Sequence, residues 1–288
     1  VKWFVLAAKQ GDADAQTQLG WMAEQGQGMP KNEALAVQAY TQAAGQKQPI
    51  AANNLGTLYR DGRGVATNMD EAARWFRVAA DAGDANGQYN LATLLESAPA
   101  TQDEALAWYR RAAGQNLAAA QSRLGWLLLN RNQDAEAVQW LTRAAGQNDV
   151  QAQNNLGVLY ENGRGVEKKP ATAAQWYRRA ADAGDAAAQN NLGALLRDGH
   201  GVPQDFTQAA EWFKRAADQG YAKAMLNLGA LYEQQSRAAA GAPRPATPAQ
   251  APRPQSQIVP IANPLPVAPA PTAIPLQAPV APVGQPLK

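Results

Sequence analysis

A leucine followed by glycine recurs along this chain at nearly constant intervals, and this repeat constrains the fold more than any other feature. Successive spacings are 36, 36, 33, 32, 36 and 36 residues, for pairs that begin at Leu19, Leu55, Leu91, Leu124, Leu156, Leu192 and Leu228, with alanine in place of glycine at Ala92. A second series keeps the same spacings: Trp3, Ala39, Trp75, Trp108, Trp140, Trp176 and Trp212. Two series in phase at this period indicate stacked supersecondary units.

The period within one unit predicts two helices. Ala51, Leu55, Leu58 and Tyr59 follow the i, i+4, i+7, i+8 pattern of one helical face, which we name helix A. A Gly-Arg-Gly-Val turn at 62–65 then precedes a second helix, helix B, which carries the tryptophan of the second series. Each hairpin is too small to bury its apolar faces alone, so neighbouring hairpins must supply the core.

Polar residues mark the helix starts, and glycine marks a close contact. Asn68 or Asp70 is predicted to cap helix B, and Asp12, Asp84 and Asp185 to cap successive A helices. The glycine of each Leu-Gly pair removes a side chain where a neighbouring helix would cross helix A closely.

The expected fold is therefore all-α, an α/α superhelical solenoid of helix hairpins. Residues 1–236 form the repeat array, with a partial first repeat, about six full units and a final single helix from about Tyr221 to about Arg237. Residues 237–288 form a proline- and alanine-rich tail. Because Val1 to Gly11 matches only the second half of a repeat, we expect the native N-terminus to precede Val1, together with any signal peptide.

Composition argues against several classes of function. The net charge is +2, and the array alone is near −2, so neither part is a nucleic-acid-binding surface by bulk charge. The chain has no cysteine and one histidine, His200, so thiolate or zinc sites and histidine-based catalysis are not expected. We therefore predict no cofactor, no metal, no enzymatic activity and no transmembrane segment.

The motif Ala-x-Ala-Gln-x-Asn-Leu-Gly-x-Leu-Tyr-x-x-Gly-x-Gly-Val, followed by Ala-x-x-Trp-Tyr-Arg-x-Ala-Ala-x-x-Gly, resembles Sel1-like repeats, relatives of the tetratricopeptide class. The best copies are 153–166 with 173–184, 189–202 with 209–220, and 52–65 with 72–83. This resemblance implies a bacterial interaction scaffold or adaptor, often linked to the envelope. A cysteine-rich branch of the family is associated with β-lactam hydrolysis, and the lack of cysteine argues against that activity here.

The candidate site lies on helix A, opposite the ladder leucine. Residues two before and two after that leucine are about 160 to 200 degrees from it, and in the related tetratricopeptide architecture this column lines a concave groove. We predict Trp21, Tyr89 and Trp126 as aromatic anchors for a partner, with local packing as the alternative. The full predicted partner-binding set is Trp21, Asn53, Asn54, Thr57, Tyr89, Asn90, Thr93, Arg123, Trp126, Asn154 and Asn190.

The residue directly before the ladder leucine is an amide in six repeats: Gln18, Asn54, Asn90, Asn155, Asn191 and Asn227. Because asparagine belongs to the family pattern there, a structural role is favoured over contact with a bound backbone. Arg123 interrupts the column and is suspected of recognising a carboxylate of the partner.

Three other features are interpreted as architecture. Glycine-rich turns at Gly26, Gly62, Gly163 and Gly199 lack the flanking strand and the Gly-Lys-Ser/Thr of a phosphate loop. A basic stripe on the B helices, including Arg111, Arg143 and Arg179, is attributed to solvated ion pairs with nearby acids. Two central repeats lack the Gly-x-Gly loop, and whether this shapes a site stays open.

The tail holds 14 of the 19 prolines within residues 241–288 and is expected to be disordered with polyproline II character. Its second half, 258–287, interleaves isoleucine, leucine and valine with proline. This half is predicted either to bind a partner domain or the array's own groove, or to serve as a plain spacer.

The predicted function is a protein-binding adaptor whose groove takes a partner peptide or protein and whose tail tethers it or binds in addition. A cell-wall or glycan-binding factor is the alternative, because tryptophans along a groove also suit sugars, and a hydrolase is the third reading. The family resemblance and the tail favour an exported or envelope-side location, with a cytoplasmic one left open.

Overall fold

The structure is a computed structural model that describes residues 1–239 and 256–260. The described part is all-α, as expected, and divides into two compact units, residues 1–82 and the residues from 83 onward. Fourteen α-helices lie in it: α1 (Lys2–Lys9), α2 (Ala13–Gln25), α3 (Glu33–Gly45), α4 (Pro49–Asp61), α5 (Met69–Asp81), α6 (Ala85–Glu96), α7 (Gln102–Gly114), α8 (Ala118–Asn130), α9 (Asp134–Gly146), α10 (Val150–Asn162), α11 (Pro170–Asp182), α12 (Ala186–Asp198), α13 (Phe206–Asp218) and α14 (Ala222–Ala239).

Even-numbered helices are the A helices and odd-numbered helices are the B helices. The hairpins of the first unit are α2–α3 and α4–α5, and those of the second unit are α6–α7, α8–α9, α10–α11 and α12–α13. Helix α1 is a B helix before the first hairpin, and α14 is an A helix after the last. The predicted period therefore maps one hairpin onto each repeat.

Side-chain caps start the helices where the sequence predicts them. The carboxylates of Asp12, Asp84 and Asp185 accept from the amides of Ala15, Gly87 and Ala188 at 2.6 to 2.7 Å. Asn68 caps α5 through the amide of Glu71 at 3.1 Å, which decides between the two predicted caps. Each bond satisfies one of the amides that a helix start leaves free.

The Gly-x-Gly turn between the helices requires glycine on two grounds. Gly62 and Gly64 have φ of +68° and +70°, in the left-handed region that favours glycine. A Cβ on Gly64 would also collide with the backbone of Glu33 at the start of α3. Gly165 and Gly201 approach the starts of α9 and α11 in the same way, so these turns hold consecutive hairpins together.

In five of the described hairpins, the glycine of the Leu-Gly pair lies against a ring or side chain of the B helix in the same hairpin. A Cβ on Gly20 would lie 2.6 Å from the ring of Tyr40, and one on Gly193 would lie 2.8 Å from Phe213. Both rings are fully buried. The predicted close approach is therefore a contact within each hairpin, at the centre of its core.

The two central repeats close their hairpins without the glycine turn. A 3-10 turn at Pro99–Thr101 leads into α7, and Asn132, with φ of +58°, turns the chain between α8 and α9. Both A–B hairpins remain intact, so the loop is dispensable for pairing of the helices.

The last helix extends three residues beyond the predicted end of the array at 236. The predictions of disorder and polyproline II structure fall mostly on 240–255 and 261–288, outside the described residues. Residues 256–260 have no regular secondary structure and pack against helix α10 within the second unit. Among the described helices, none combines the length and apolarity needed to cross a bilayer.

Candidate functional site

A short tail segment, residues 256–260, lies on the A helices of the second unit. The side-chain amide of Asn155 on α10 donates to the carbonyl oxygen of Val259 at 3.0 Å, and its Oδ1 accepts from the Val259 amide at 2.9 Å. Both hydrogen-bonding groups of one backbone residue are therefore held by one carboxamide. We name this region, formed by α10, α12 and α14, the A face.

Two further polar contacts hold the preceding residues of the segment. Asn162 at the end of α10 donates to the Ser256 carbonyl at 3.4 Å, and Lys223 of α14 donates to the Gln257 side chain at 3.0 Å. Asn155 and Asn162 are seven residues apart, about 10.5 Å along a helix. Three residues of extended chain span about 10 Å, so the segment matches two turns of α10 and runs antiparallel to it.

An apolar contact accompanies these hydrogen bonds. Ile258 packs against the core cluster that contains Val158 and Leu192, with Ala194 at its edge. Val158 and Ala194 occupy the position two after the ladder leucine, where other repeats carry Trp21 and Trp126. The smaller side chains leave room for an aliphatic residue on this part of the A face.

Beside the segment is an open cleft of about 560 Å³. Asn190, Ala194, Leu226 and Asn227 line it together with residues 256–260. Leu226 is 76% exposed, so its apolar side chain is available to a longer bound segment. The segment therefore fills only part of the available A face.

Asparagine side chains also link neighbouring A helices. Asn191 donates to Asn154 at 3.2 Å, and Asn227 donates to Asn190 at 2.8 Å. The predicted structural role of the amide column is confirmed for Asn191 and Asn227. Asn155 of the same column differs, because its polar atoms bond the tail backbone. It is not among the predicted partner-binding residues, because its sequence position is the same as that of Asn191 and Asn227.

The predicted anchor Tyr89 is not exposed. Its side chain is fully buried, and its ring packs edge-on against Tyr109 with centroids 5.5 Å apart. Tyr109 belongs to the B helix of the same hairpin, so the prediction that Tyr89 is an exposed groove anchor is corrected. Although this position lies opposite the ladder leucine, the large Tyr89 ring turns back into its own hairpin.

Trp21 and Trp126 are partly exposed, and their roles differ. Trp21 packs at the edge of the core cluster around Tyr40 and Leu55. Trp126 has the guanidinium of Arg123 stacked over its ring at 4.4 Å. The alternative of local packing thus applies to part of each ring, and partner binding by either stays a prediction.

Arg123 recognises a carboxylate of its own chain. Its Nε donates to Glu96 at 3.0 Å, and a second guanidinium nitrogen bonds the other Glu96 oxygen. Glu96 also accepts from the Tyr109 hydroxyl at 2.9 Å. Such a two-point contact is the strong form of an ion pair, so a carboxylate of a partner would have to compete with Glu96.

The other predicted site residues are mostly buried. Asn53, Asn54, Thr57, Asn90 and Asn154 have almost no accessible surface, and Asn190 is buried but lines the cleft. Thr57 and Thr93 donate their hydroxyls to the carbonyl four residues earlier in their own helices, at 3.1 and 2.9 Å. For these residues contact with a partner remains a prediction.

The basic stripe pairs with the tryptophan series. Guanidinium groups lie 4.4 to 4.9 Å from the ring centroids in Arg111–Trp108, Arg143–Trp140, Arg179–Trp176 and Arg215–Trp212. The interpretation as solvated ion pairs holds for Arg110 of the stripe, which pairs with Glu136 at 3.1 Å with both side chains exposed. It is corrected for the four arginines above, because their partners are rings about one helical turn away.

Comparison with known proteins agrees with this geometry. The Sel1 repeat model matches residues 1–12, 13–47, 49–84, 85–117, 118–149, 150–185 and 186–221. A Sel1 repeat protein from Oxalobacter formigenes is 30% identical with a TM-score of 0.64, over 73% of this chain and 89% of that one. The described chain thus matches a solved Sel1 protein over most of both lengths.

Two other relatives are longer than the matched region. The c5321 protein, a protective antigen present in uropathogenic Escherichia coli strains, is 28% identical with a TM-score of 0.58, over 81% of this chain and 59% of that one. An uncharacterized protein of Neisseria meningitidis serogroup B is 33% identical over 91 residues, which is 32% of this chain and 20% of its own length. Because a family model covers most of the sequence, the chain belongs to the Sel1 repeat family.

Proposed function

We propose that this chain is a protein-interaction scaffold that binds an extended segment of a partner protein across the A face. Sel1 repeat proteins generally mediate protein–protein interactions. The observation that carries the proposal is the paired hydrogen bonding of Asn155 to the Val259 backbone. A surface that already accommodates one extended chain is suited to bind another.

The A face has separate contacts for the backbone and for a side chain of a bound peptide. Asn155 bonds backbone atoms, which every peptide carries, and so supplies affinity that does not depend on sequence. The space over Val158 and Ala194 accepts an aliphatic side chain, and so supplies selectivity. The open cleft beside Leu226 offers additional area to a segment longer than residues 256–260.

A glycan ligand is less well supported. Sugar stacking needs an open aromatic face, and the Trp126 ring is covered on one side by Arg123. The Trp108, Trp140, Trp176 and Trp212 rings carry guanidinium groups as well.

Site-specific photo-crosslinking in source cells tests the proposal. A photoreactive amino acid replaces Leu226 in the cleft or, as a control, Met69, an exposed apolar residue of helix α5. We expect a protein adduct from position 226 that is absent from position 69. The substitution Ala194→Trp, which fills the cleft, should abolish this adduct. Identical adducts at both positions, or an adduct that survives Ala194→Trp, would contradict binding on the A face.

A further inference from the structure

We propose that the chain's own residues 256–260 are the resident occupant of the A face, and that a partner binds by displacing them. This inference rests on the function proposed above and names the chemistry of its ligand. The ligand is an extended segment with an aliphatic side chain at the place of Ile258. It also carries a backbone N–H and C=O at the place of Val259.

The contacts are those of a bound peptide. Asn155 is buried, and both of its polar ends meet the Val259 backbone. Ile258 is partly buried against the core, while the adjacent Gln257 is exposed and bonds only Lys223 among the described residues. One inward side chain, one outward side chain and a held backbone are the features of strand-like peptide recognition.

Covalent connection explains how so short a segment stays in place. The sixteen residues 240–255 join it to the end of α14. A connection of this length gives an effective concentration on the order of 1 mM. Five residues with four hydrogen bonds can then occupy the site in most molecules while remaining weak enough to be replaced.

The unfilled cleft is where a partner segment can bury more apolar area than the tail does. Leu226 and its neighbours on α12 and α14 remain open beside the docked segment. A partner segment that repeats the Ile258 and Val259 contacts and also covers Leu226 buries more apolar area. Such a segment displaces the tail once its affinity exceeds the advantage of the covalent link.

A binding measurement on the full chain tests this self-occupancy. The probe is a fluorescent synthetic peptide with the sequence of residues 252–264, titrated into four proteins and followed by anisotropy. They are the wild type, Ile258→Asp, the matched control Gln257→Asp and the double variant Ile258→Asp/Asn155→Ala. The two aspartates add the same charge at adjacent positions, one packed and one exposed.

We expect Ile258→Asp to bind the peptide at least ~10-fold more tightly than the wild type, because its own tail no longer competes. Gln257→Asp keeps an acceptor for Lys223, so the tail should stay docked and this variant should bind the peptide no more tightly than the wild type. Adding Asn155→Ala should weaken binding to Ile258→Asp at least ~10-fold. A second variant, Val259→Pro, removes the N–H without adding charge and should free the site as Ile258→Asp does.

Two results would overturn the inference in different ways. Equal binding to the wild type and to Ile258→Asp would show that the A face takes peptides but that the tail does not occupy it, so the proposed function would survive. No binding to any variant, with melting temperatures unchanged, would remove both the self-occupancy and the evidence that this face holds an extended chain.

Discussion

Gly193 of α12 lies so close beneath the ring of Phe213 that a methyl group added at this glycine would come within 2.8 Å of the ring. Real Cβ atoms do not approach that closely, so either the ring or the helix would have to move. The carbonyl oxygen of Ala209 is also within 3.2 Å of the added methyl. The glycine of the Leu-Gly pair therefore recurs because the two helices of a hairpin approach closely at this position.

Replacing Gly193 with alanine should destabilise the protein by about 1–3 kcal/mol, the usual cost of overpacking a core. The matched control is Gly229→Ala, at the same place in α14, where a methyl group meets nothing within 4 Å. That change should stabilise by about 0.5–1 kcal/mol through helix propensity. Denaturant unfolding checks both, and equal shifts in the same direction would show that the contact does not matter.

Tyr177 and Glu161 form a hydrogen bond across the α10–α11 hairpin at 2.7 Å, and Tyr40 makes the same bond to Glu24 at 3.0 Å. Where the B-helix residue is phenylalanine instead, as at Phe76 and Phe213, the A-helix position is arginine. Tyr177→Phe should cost about 1–3 kcal/mol, because it removes a donor from a buried carboxylate.

A double-mutant cycle with Glu161→Leu tests whether the two residues act as a pair. The double variant should be less destabilised than the sum of the single variants by about 0.5–3 kcal/mol. Strict additivity would mean that the hydrogen bond contributes nothing specific to the hairpin.

Two helix-capping aspartates should make contributions to stability that change with pH in opposite directions. Burial raises the pKa of Asp185 above its ordinary value, although the amide of Ala188 works against this. An acid whose folded pKa is raised contributes stability below its unfolded pKa and loses it as pH rises through the folded pKa. Asp185→Asn can still cap the helix but carries no charge. The stability of this variant relative to the wild type should therefore increase as pH rises through that range.

The partly exposed cap Asp205 should respond to pH in the opposite direction. A hydrogen bond from the Gln208 amide lowers the pKa of this carboxyl, so its stabilising contribution is present above the unfolded pKa and is lost as pH falls through the folded pKa. Asp205→Asn should therefore be less stable than the wild type near neutral pH, and this difference in stability should shrink as the pH is lowered. Unfolding free energies between about pH 3 and 7 check both variants, and parallel pH profiles would refute the assignment.

Two tryptophans should differ in their importance for stability. Trp212 is buried in the core cluster of the last hairpin, whereas Trp126 is partly exposed beneath Arg123. Trp212→Ala should cost about 3–5 kcal/mol, in the range of large core truncations. Trp126→Ala should cost clearly less, and thermal unfolding compares the two. An equal loss would place Trp126 in the core and remove it from the candidate binding surface.

The repeat fold could be predicted from sequence because each of its signals is local. The period, the caps at Asp12, Asp84 and Asp185, and the positive φ of Gly62 all follow from residues within one hairpin. Side-chain bonds that join one helix to another, within a hairpin or between repeats, do not follow from these local signals. Gln219 donates to Gln189 at 2.9 Å, and Gln189 donates to the Ala181 carbonyl at 3.2 Å, yet the motif shows only that glutamine recurs.

The candidate site was harder to predict because its members look alike in sequence. Asn155, Asn191 and Asn227 occupy equivalent positions. Of these three, only Asn155 hydrogen-bonds the described tail segment, while the other two bond neighbouring A helices. The difference arises from a segment about 100 residues away in sequence and from the small side chains of Val158 and Ala194. Neither follows from the periodicity of a single repeat.

Hydrogen exchange at the Val259 amide shows whether Asn155 holds an extended chain on the A face in solution. The measurement uses the full chain as the wild type, as Asn155→Ala and as Ile258→Asp, with residue-resolved detection by NMR. We predict that the Val259 amide exchanges at least ~10-fold more slowly in the wild type than in either variant, because its proton is donated to Asn155. A Val259 amide that exchanges at the same rate in all three proteins would contradict the binding of an extended chain by Asn155.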